Sequence, residues 1–354
     1  MTTNQSLVLA SGYSTADQPG IQAFFFDEST GKLTTSGSYT GINSPSFLII
    51  HPNKRWVYAV SETGLSSHNI SGEVWAFQME QEPFLLKPIN RQTSRGDWPC
   101  HLQLDETGKW LVTTNYGTGN TAIYPIQWDG SLGEMTDEVQ HEGHGSHADR
   151  QESAHAHSSI FTPDNRFVIV ADLGMDELVI YQFDSSTGKL LPHSSVHTRP
   201  GAGPRHLVFH PNGKWFYVAN ELASSVTFYE YGDANDMMIE KQTLSTIPSD
   251  APENIVADIH ISSDGKRLYV SNRGHNSIAA FDIGVDGSLS PVSISSCGGS
   301  WPRHFAISPT GQFILVANQY SNEICVLPIR KGKEALGSLI TRVSLTGASC
   351  IQFA

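Results

Sequence analysis

Short apolar runs separated by polar turns follow one another along the whole chain. The stretch from Gly203 to Glu221, GPRHLVFHPNGKWFYVANE, has an apolar run, a Pro-Asn-Gly-Lys turn and a second apolar run. Pro, Asn and Gly provide the backbone angles that a tight turn between two strands requires. Few segments show the helical period of about 3.6 residues. The pattern therefore predicts β-hairpins and an all-β fold.

The same hairpin recurs through the sequence with different side chains. The other copies begin at Ser44, Trp98, His155, Val256 and Trp301. After each hairpin the sequence predicts a third strand, a turn such as DGSL or TGKL, and a fourth strand. The repeat of roughly 50 residues is typical of the blades of a β-propeller.

The two ends of the chain supply the missing parts of one further blade. The C-terminal TGASCIQFA reads as a first strand, and the N-terminal SLVLASGY and IQAFFFDESTGKL read as the strands that follow it. Pairing them would leave no free sheet edge. We therefore predict a seven-bladed β-propeller of four-stranded antiparallel blades, closed by pairing the terminal strands in one blade. Residues 1–354 would form a single domain.

The composition limits which binding partners and which cellular compartment we expect. Charged residues make up 16% of the chain and the net charge is −13, without a basic stripe, which argues against nucleic acid. No apolar run approaches the roughly 18 residues of a membrane span, and the start lacks a signal-peptide pattern. The four cysteines form no CxxC pair, which favours reduced thiols and a cytoplasmic protein. A monomer and a small homo-oligomer both remain open.

Aligning the repeats with one another separates residues that build the blade from residues that break the pattern. One position before the turn holds Ser46, Cys100, His157, Arg205, Ala257 and Arg303 in successive hairpins. A second position after the turn holds Glu62, Tyr116, Leu173, Glu221, Arg273 and Gln319. We expect the two positions to be cross-strand neighbours at one end of the blades.

Five ionisable residues occupy these two positions in consecutive blades: His157, Arg205, Glu221, Arg273 and Arg303. Arginines bind carboxylates and phosphates through paired N–H groups, and they stabilise an oxyanion as it forms. A histidine can move a proton near neutral pH, and a glutamate can act as a base or orient an arginine. The pattern therefore predicts a pocket for a small anion, with solvated strand ends and salt bridges as the alternative.

Other repeated residues have a structural interpretation. Histidine recurs at the next position in three blades, as His101, His206 and His304, which indicates hydrogen bonds between blades. Asn or Asp recurs at the end of the second strand, where it would cap the strand, as Asn115, Asp172, Asn220, Asn272 and Asn318.

The His-rich segment between His141 and His157 suggests a metal site, because His155 and His157 alternate along one strand and would point the same way. However, zinc spacing motifs are absent, and the sequence has no GxSxG, P-loop or Rossmann fingerprint. We therefore expect no metal and no cofactor.

Four segments together resemble one family. They are ESAHAHSSIFTPD, GAGPRHLVFHPNGKWFYVANEL, YVSNRGHNSIAAF and WPRHFAISPTGQFILVANQ. They are similar to the seven-bladed propeller lactonases, which include bacterial 6-phosphogluconolactonases and fungal 3-carboxy-cis,cis-muconate lactonising enzymes. In the muconate enzymes a His, two Arg and a Glu are implicated. By motif these fall here on His155 or His157, on Arg205 and Arg273, and on Glu221.

The resemblance implies a metal-independent lactonase that hydrolyses 6-phospho-D-glucono-1,5-lactone in the pentose phosphate pathway. Arg205, Arg273 and Arg303 would hold the phosphate and polarise the carbonyl, and His157 or Glu221 would activate water. His155 and His206 are further candidates for substrate binding. The alternatives are a muconate-type cycloisomerase and a non-catalytic propeller that binds sugar acids or a protein.

Overall fold

The fold is built from β-strands. The computed structural model describes residues 4–64, 71–81, 84–232 and 237–354. All regular secondary structure in these ranges is strand, arranged as seven four-stranded antiparallel sheets. Within the same ranges, no helix has the length and apolar character needed to cross a membrane.

The strands follow one another in chain order, four to a sheet. The first three are β1 (Gln5–Gly12), β2 (Ile21–Asp27) and β3 (Lys32–Tyr39). The next three sheets are β4–β7 (Leu48–Ile50, Trp56–Ser61, Glu73–Gln81, Phe84–Thr93), β8–β11 (Pro99–Leu104, Trp110–Asn115, Asn120–Pro125, Asp137–Gln140) and β12–β15 (Ala156–Phe161, Phe167–Asp172, Glu177–Asp184, Lys189–His197).

Three more sheets follow, and the last strand of the chain joins the first three. These sheets are β16–β19 (Pro204–Phe209, Trp215–Asn220, Ser225–Gly232, Met237–Ser245), β20–β23 (Ile255–Ile261, Arg267–Arg273, Ser277–Ile283, Leu289–Ser296) and β24–β27 (Pro302–Ile307, Phe313–Asn318, Glu323–Pro328, Thr341–Ser344). The seventh sheet has the order β28-β1-β2-β3, with β28 at Ala348–Phe353. The predicted seven four-stranded blades, one shared by the two chain ends, are therefore confirmed.

The chain divides into two compact units. We call them the C-terminal unit and the N-terminal unit after their main segments. The C-terminal unit is Met1–Ala10, Phe24–Thr35 and Arg205–Phe353, and the N-terminal unit is Ser11–Ala23, Ser36–Pro204 and Ala354. That residues 1–354 form a single domain stays a prediction.

Neighbouring sheets within a unit bury apolar side chains against one another. In the C-terminal unit, Tyr217 and Phe228 from β17 and β18 share a core with Leu268 and Val270 from β21. All four are at most 2% exposed. Burying one large apolar side chain stabilises a fold by about 1.5–3 kcal/mol, so each sheet depends on its neighbour.

The first strand of several sheets contains a β-bulge where the sequence placed its site residues. The register shifts around Cys100 in β8, around His157 in β12 and around Arg303 in β24. A bulge adds one residue to a strand and redirects its side chain, and bulges are common beside active sites. The predicted site positions therefore coincide with local irregularities of the backbone.

The predicted cross-strand pairing of the two positions was wrong by two residues. Arg273 lies opposite Ile255, not opposite Ala257. The bulge contributes to this offset, because it adds a residue to β20 between Val256 and Ile259. The side chains nevertheless meet, because arginine and glutamate are long enough to cover the offset.

Candidate functional site

Two arginines in the C-terminal unit share one carboxylate. Arg205 Nε donates a hydrogen bond to Glu221 Oε2 at 2.9 Å, and Arg273 Nη2 donates to the same oxygen at 2.6 Å. None of the three residues is more than 4% exposed. We call these three residues the arginine cluster. It carries two positive charges and one negative charge, so a net positive charge is buried.

The bulge in β20 fixes the two guanidinium groups. Arg205 Nη1 donates to the carbonyl of Ala257 at 2.6 Å, and Arg273 Nη2 donates to the carbonyl of Val256 at 2.8 Å. Ala257 lies within the register shift and has no residue paired opposite it. The irregular backbone therefore supplies acceptors that a regular ladder would use within the sheet.

The positive charge of Arg273 is destabilised by its surroundings. Burial lowers the pKa of Arg273 to about 9; Glu221 opposes this effect, and the neighbouring charges of Arg205 and Arg303 add to it. The Nε–H of Arg273 is buried and has no hydrogen-bond partner among the described residues. Arg303 itself is half-buried. An anion bound here would stabilise the charged guanidinium and offer an acceptor to this N–H.

The N-terminal unit holds the two histidines of the HAH segment next to Tyr116. His155 stacks on the Tyr116 ring at 4.5 Å, and its Nδ1 donates to the Tyr116 carbonyl at 2.9 Å. His155 Nε2 lies 3.2 Å from Glu152. His157 lies edge-on to Tyr116 at 5.5 Å, is 4% exposed, and accepts a hydrogen bond from Cys100 Sγ at its carbonyl. That His157 shares a pocket with the arginines stays a prediction.

The capping role predicted for the repeated Asn and Asp positions is visible at Asp172. Its Oδ1 accepts from the backbone N–H groups of His155 and Met175 at 2.8 and 3.0 Å. Its Oδ2 lies 2.7 Å from His141 Nδ1, and both residues are buried. A strand-end carboxylate therefore holds His141 in position.

Sequence reasoning missed a second cluster in the C-terminal unit, centred on Asp258. Asp258 Oδ1 accepts from His206 Nδ1 at 2.8 Å, and Oδ2 lies 2.9 Å from His260 Nε2 and 3.6 Å from His304 Nε2. Asp258 is 2% exposed. We call Asp258, His206, His260 and His304 the histidine cluster. The available signal was that Asp258 replaces histidine at the position where His101, His206 and His304 recur.

The recurring position links one sheet to the next, as the sequence predicted. His101 Nδ1 accepts from Ser159 N at 3.4 Å, and His304 Nδ1 accepts from Ile351 N at 3.3 Å. Asp258 Oδ2 accepts from Phe305 N at 3.1 Å in the same manner. In each case a buried backbone N–H of the following sheet finds a side-chain acceptor.

The histidines of this cluster differ in charge. The pKa of His206 is lowered to about 3 and that of His304 to about 4. Burial is the main cause and the charge of Arg205 adds to it, whereas the carboxylate of Asp258 acts to raise both pKa values. Burial also acts to lower the pKa of His260, but the contact with Asp258 outweighs it and the pKa is raised. Among these three histidines, His260 is therefore the one whose protonated form the cluster stabilises.

Asp258, His260 and His304 are the only group of three potential metal ligands gathered together in the described part of the chain. Because His304 Nδ1 accepts the Ile351 N–H, its Nε2 carries the ring proton and offers no lone pair to a metal. The arrangement fits a hydrogen-bonded network better than a metal centre. Metal independence itself stays a prediction.

Comparisons with known proteins agree over almost the whole chain. The family model described as lactonase, 7-bladed beta-propeller matches residues 7–353. A 6-phosphogluconolactonase of Bacillus subtilis is 33% identical over 343 residues, which covers 96% of each chain. A 6-phosphogluconolactonase of Formosa agariphila is 34% identical and covers 94% of this chain and 95% of its own. The solved periplasmic gluconolactonase of Pseudomonas aeruginosa is 28% identical, with a TM-score of 0.93 over 99% of both chains.

Proposed function

The chain belongs to the family of seven-bladed β-propeller lactonases, and on that basis we propose that it hydrolyses 6-phospho-D-glucono-1,5-lactone to 6-phosphogluconate. Two relatives of about one-third identity carry the name 6-phosphogluconolactonase. The observation that carries the proposal is the arginine cluster, whose buried net positive charge and unused Arg273 N–H suit an anionic sugar lactone.

The three residues of the arginine cluster and the neighbouring Arg303 have different roles in the proposed reaction. Arg273 and Arg303 bind the phosphate, and Arg205 supports the charge that develops as the lactone opens. Glu221 orients the arginines, because its Oε2 already accepts hydrogen bonds from two guanidinium groups. Water attacks the ring carbonyl carbon, the bond to the ring oxygen breaks, and the product is a carboxylate.

The cellular setting is also a proposal. All four cysteines are buried and free of disulfides, which suits the reducing cytoplasm. A small phosphorylated lactone would be the partner of the site, and its product would enter the pentose phosphate pathway. A monomer and a small homo-oligomer are both compatible with this function.

The test is hydrolysis of freshly generated 6-phosphogluconolactone, coupled to 6-phosphogluconate dehydrogenase, with the spontaneous rate subtracted. We expect Arg273→Lys to lower kcat/KM by about 10- to 100-fold, because lysine cannot reproduce the geometry of the planar guanidinium. Arg267→Lys is the matched control, since Arg267 stands at the opposite end of β21 in an ion pair with Asp282. It should keep the wild-type rate.

Glucono-1,5-lactone is the second substrate, since a structural relative is a gluconolactonase. A strong preference for the phosphorylated lactone that disappears in Arg273→Lys would support the assigned phosphate site. Wild-type protein that does not accelerate either lactone above background would refute the proposal and leave the cycloisomerase and binding alternatives.

A further inference from the structure

One ring nitrogen of His260 faces solvent, and the other contacts a buried carboxylate. Its Nε2 lies 2.9 Å from Asp258 Oδ2, and its side chain is 36% exposed while that of Asp258 is 3% exposed. Its ring also contacts His304 and Phe305, at 5.5 and 4.8 Å between centroids. Nδ1 has no protein partner among the described residues and is not one of their buried unpartnered atoms, so it faces solvent.

The contact with Asp258 fixes the tautomer of His260. An ionised carboxylate only accepts hydrogen bonds, so Nε2 carries the proton and the neutral ring keeps its lone pair on Nδ1. A carboxylate that holds a histidine in this way also stabilises the imidazolium formed when the ring takes up a proton. His260 therefore has the orientation and the charge support that a general base needs.

The other members of the cluster hold Asp258 in place. Its Oδ1 accepts from His206 and from Ile259 N at 2.8 and 2.9 Å, and its Oδ2 accepts from Phe305 N at 3.1 Å. Burial acts against ionisation, but the neighbouring histidines hold the pKa of Asp258 well below its usual range. The ionised form of the carboxylate is thus favoured, and these hydrogen bonds orient it.

The histidine cluster and the arginine cluster are joined through β20. The carbonyl of Ala257, which binds Arg205, directly precedes Asp258. His260 follows three residues after Ala257, which is roughly 10 Å along a strand. In 6-phospho-D-glucono-1,5-lactone the carbonyl carbon C1 and the carbon C5, which carries the phosphate through C6, are both bonded to the ring oxygen. Phosphate held at the arginines would therefore place the carbonyl a short distance away, between the arginine cluster and the exposed nitrogen of His260.

We propose that His260 is the general base of the lactonase reaction and that Asp258 is its positioning residue; this rests on the proposed function. His260 Nδ1 takes a proton from water as the water oxygen bonds to the carbonyl carbon. The tetrahedral intermediate then breaks its bond to the ring oxygen, and His260 returns the proton to that oxygen. Water and lactone give one hydroxy acid, which ionises. This assignment replaces His157 and Glu221 as proton acceptors.

The experiment measures kcat and KM of wild type, His260→Gln and His157→Gln from pH 5 to 8, subtracting spontaneous hydrolysis at every pH. His260→Gln should lower kcat by about 10²–10⁴-fold with little change in KM, and it should remove the acid limb of the kcat profile. His157→Gln should keep that limb. The groups facing His260 that could contribute to the limb are Asp258 and His304, and both stay in place in these variants.

Two further variants separate catalysis from structure. His260→Ala should regain part of its kcat when imidazole is added, which a purely structural histidine would not show. Asp258→Asn should move the acid limb to lower pH, because the charge that supports the imidazolium is lost; where this buried change prevents folding, the imidazole rescue carries the test. Thermal unfolding of His260→Gln should remain a single cooperative transition, which shows that the variant folds.

The outcomes distinguish this inference from the proposed function. Active wild type together with an equally active His260→Gln would overturn the assignment and leave the lactonase function standing. Loss of the acid limb in His157→Gln instead would move the base to His157. Inactive wild type would refute the proposed function itself, and the assignment with it.

Discussion

Glu221 accepts hydrogen bonds from Arg205 and Arg273 on a single oxygen, and all three side chains are buried. Glu221→Gln keeps the size of the side chain but leaves two buried guanidinium groups without a neutralising charge. Removing one partner of a buried ion pair costs about 3–5 kcal/mol. We expect the free energy of unfolding, measured by urea denaturation, to fall by about this amount.

A double-mutant cycle supplies the control for this prediction. Arg273→Met removes one of the two cations, so the Glu221→Gln and Arg273→Met double variant should lose less stability than the two single changes added together. Additive losses would show that Glu221 does not couple to Arg273, contrary to the geometry.

Sequence reasoning selected site residues by one criterion, which is that a residue departs from the repeat. Arg205, Glu221 and Arg273 break the repeat with charge, and the structure brings them together. Asp258 also breaks the repeat, yet it was not recognised because it stands at the position of His101, His206 and His304, which was interpreted as structural. Repeats reveal unusual residues, but only the fold shows which of them meet.

At the scale of elements, His101, Asp258 and His304 on the first strands of three sheets each accept a hydrogen bond from a backbone N–H of the following sheet. His101→Ala would leave the buried N–H of Ser159 without its acceptor. An unsatisfied buried donor costs about 1–3 kcal/mol, so we expect a loss of that size in the free energy of unfolding. His197→Ala is the control, because His197 is 76% exposed in a surface ion pair with Glu177 and should lose about 0.5 kcal/mol or less. Equal losses in both variants would contradict the linking role of His101.

The strands themselves were predictable because their apolar runs and turn residues are local signals. The bulges at Cys100, His157 and Arg303 were not predictable. One extra residue near the end of a strand leaves the apolar run and the turn intact, so the sequence reads the same with or without it. Bulges nevertheless redirect the side chains of a strand, and the bulge in β20 accounts for part of the two-residue displacement in the predicted pairing of Arg273.

At the scale of the whole molecule, the histidine cluster links folding stability to pH. His206 and His304 have folded-state pKa values of about 3 and 4, below the ordinary value of 6.5. Below pH 6.5 the unfolded chain therefore binds protons at these two positions that the folded protein excludes. His260, whose pKa is raised, is protonated in both states in this range and does not cancel the difference. These two histidines therefore do not reduce the free energy of unfolding above pH 6.5, and they reduce it progressively as the pH falls toward 4.

Each proton that is bound only in the unfolded state lowers the free energy of unfolding by about 1.4 kcal/mol per pH unit. Two such histidines predict a slope that approaches twice this value between pH 6 and pH 4.5. Urea denaturation at closely spaced pH values measures the slope, and His304→Asn should reduce it by about half while His197→Ala leaves it unchanged. A stability that stays flat across this range in wild type would mean that His206 and His304 take up protons in the folded protein. The charge of Asp258 would then be neutralised by protonated His206 and His304 and would no longer stabilise the protonated form of His260, which a general base requires.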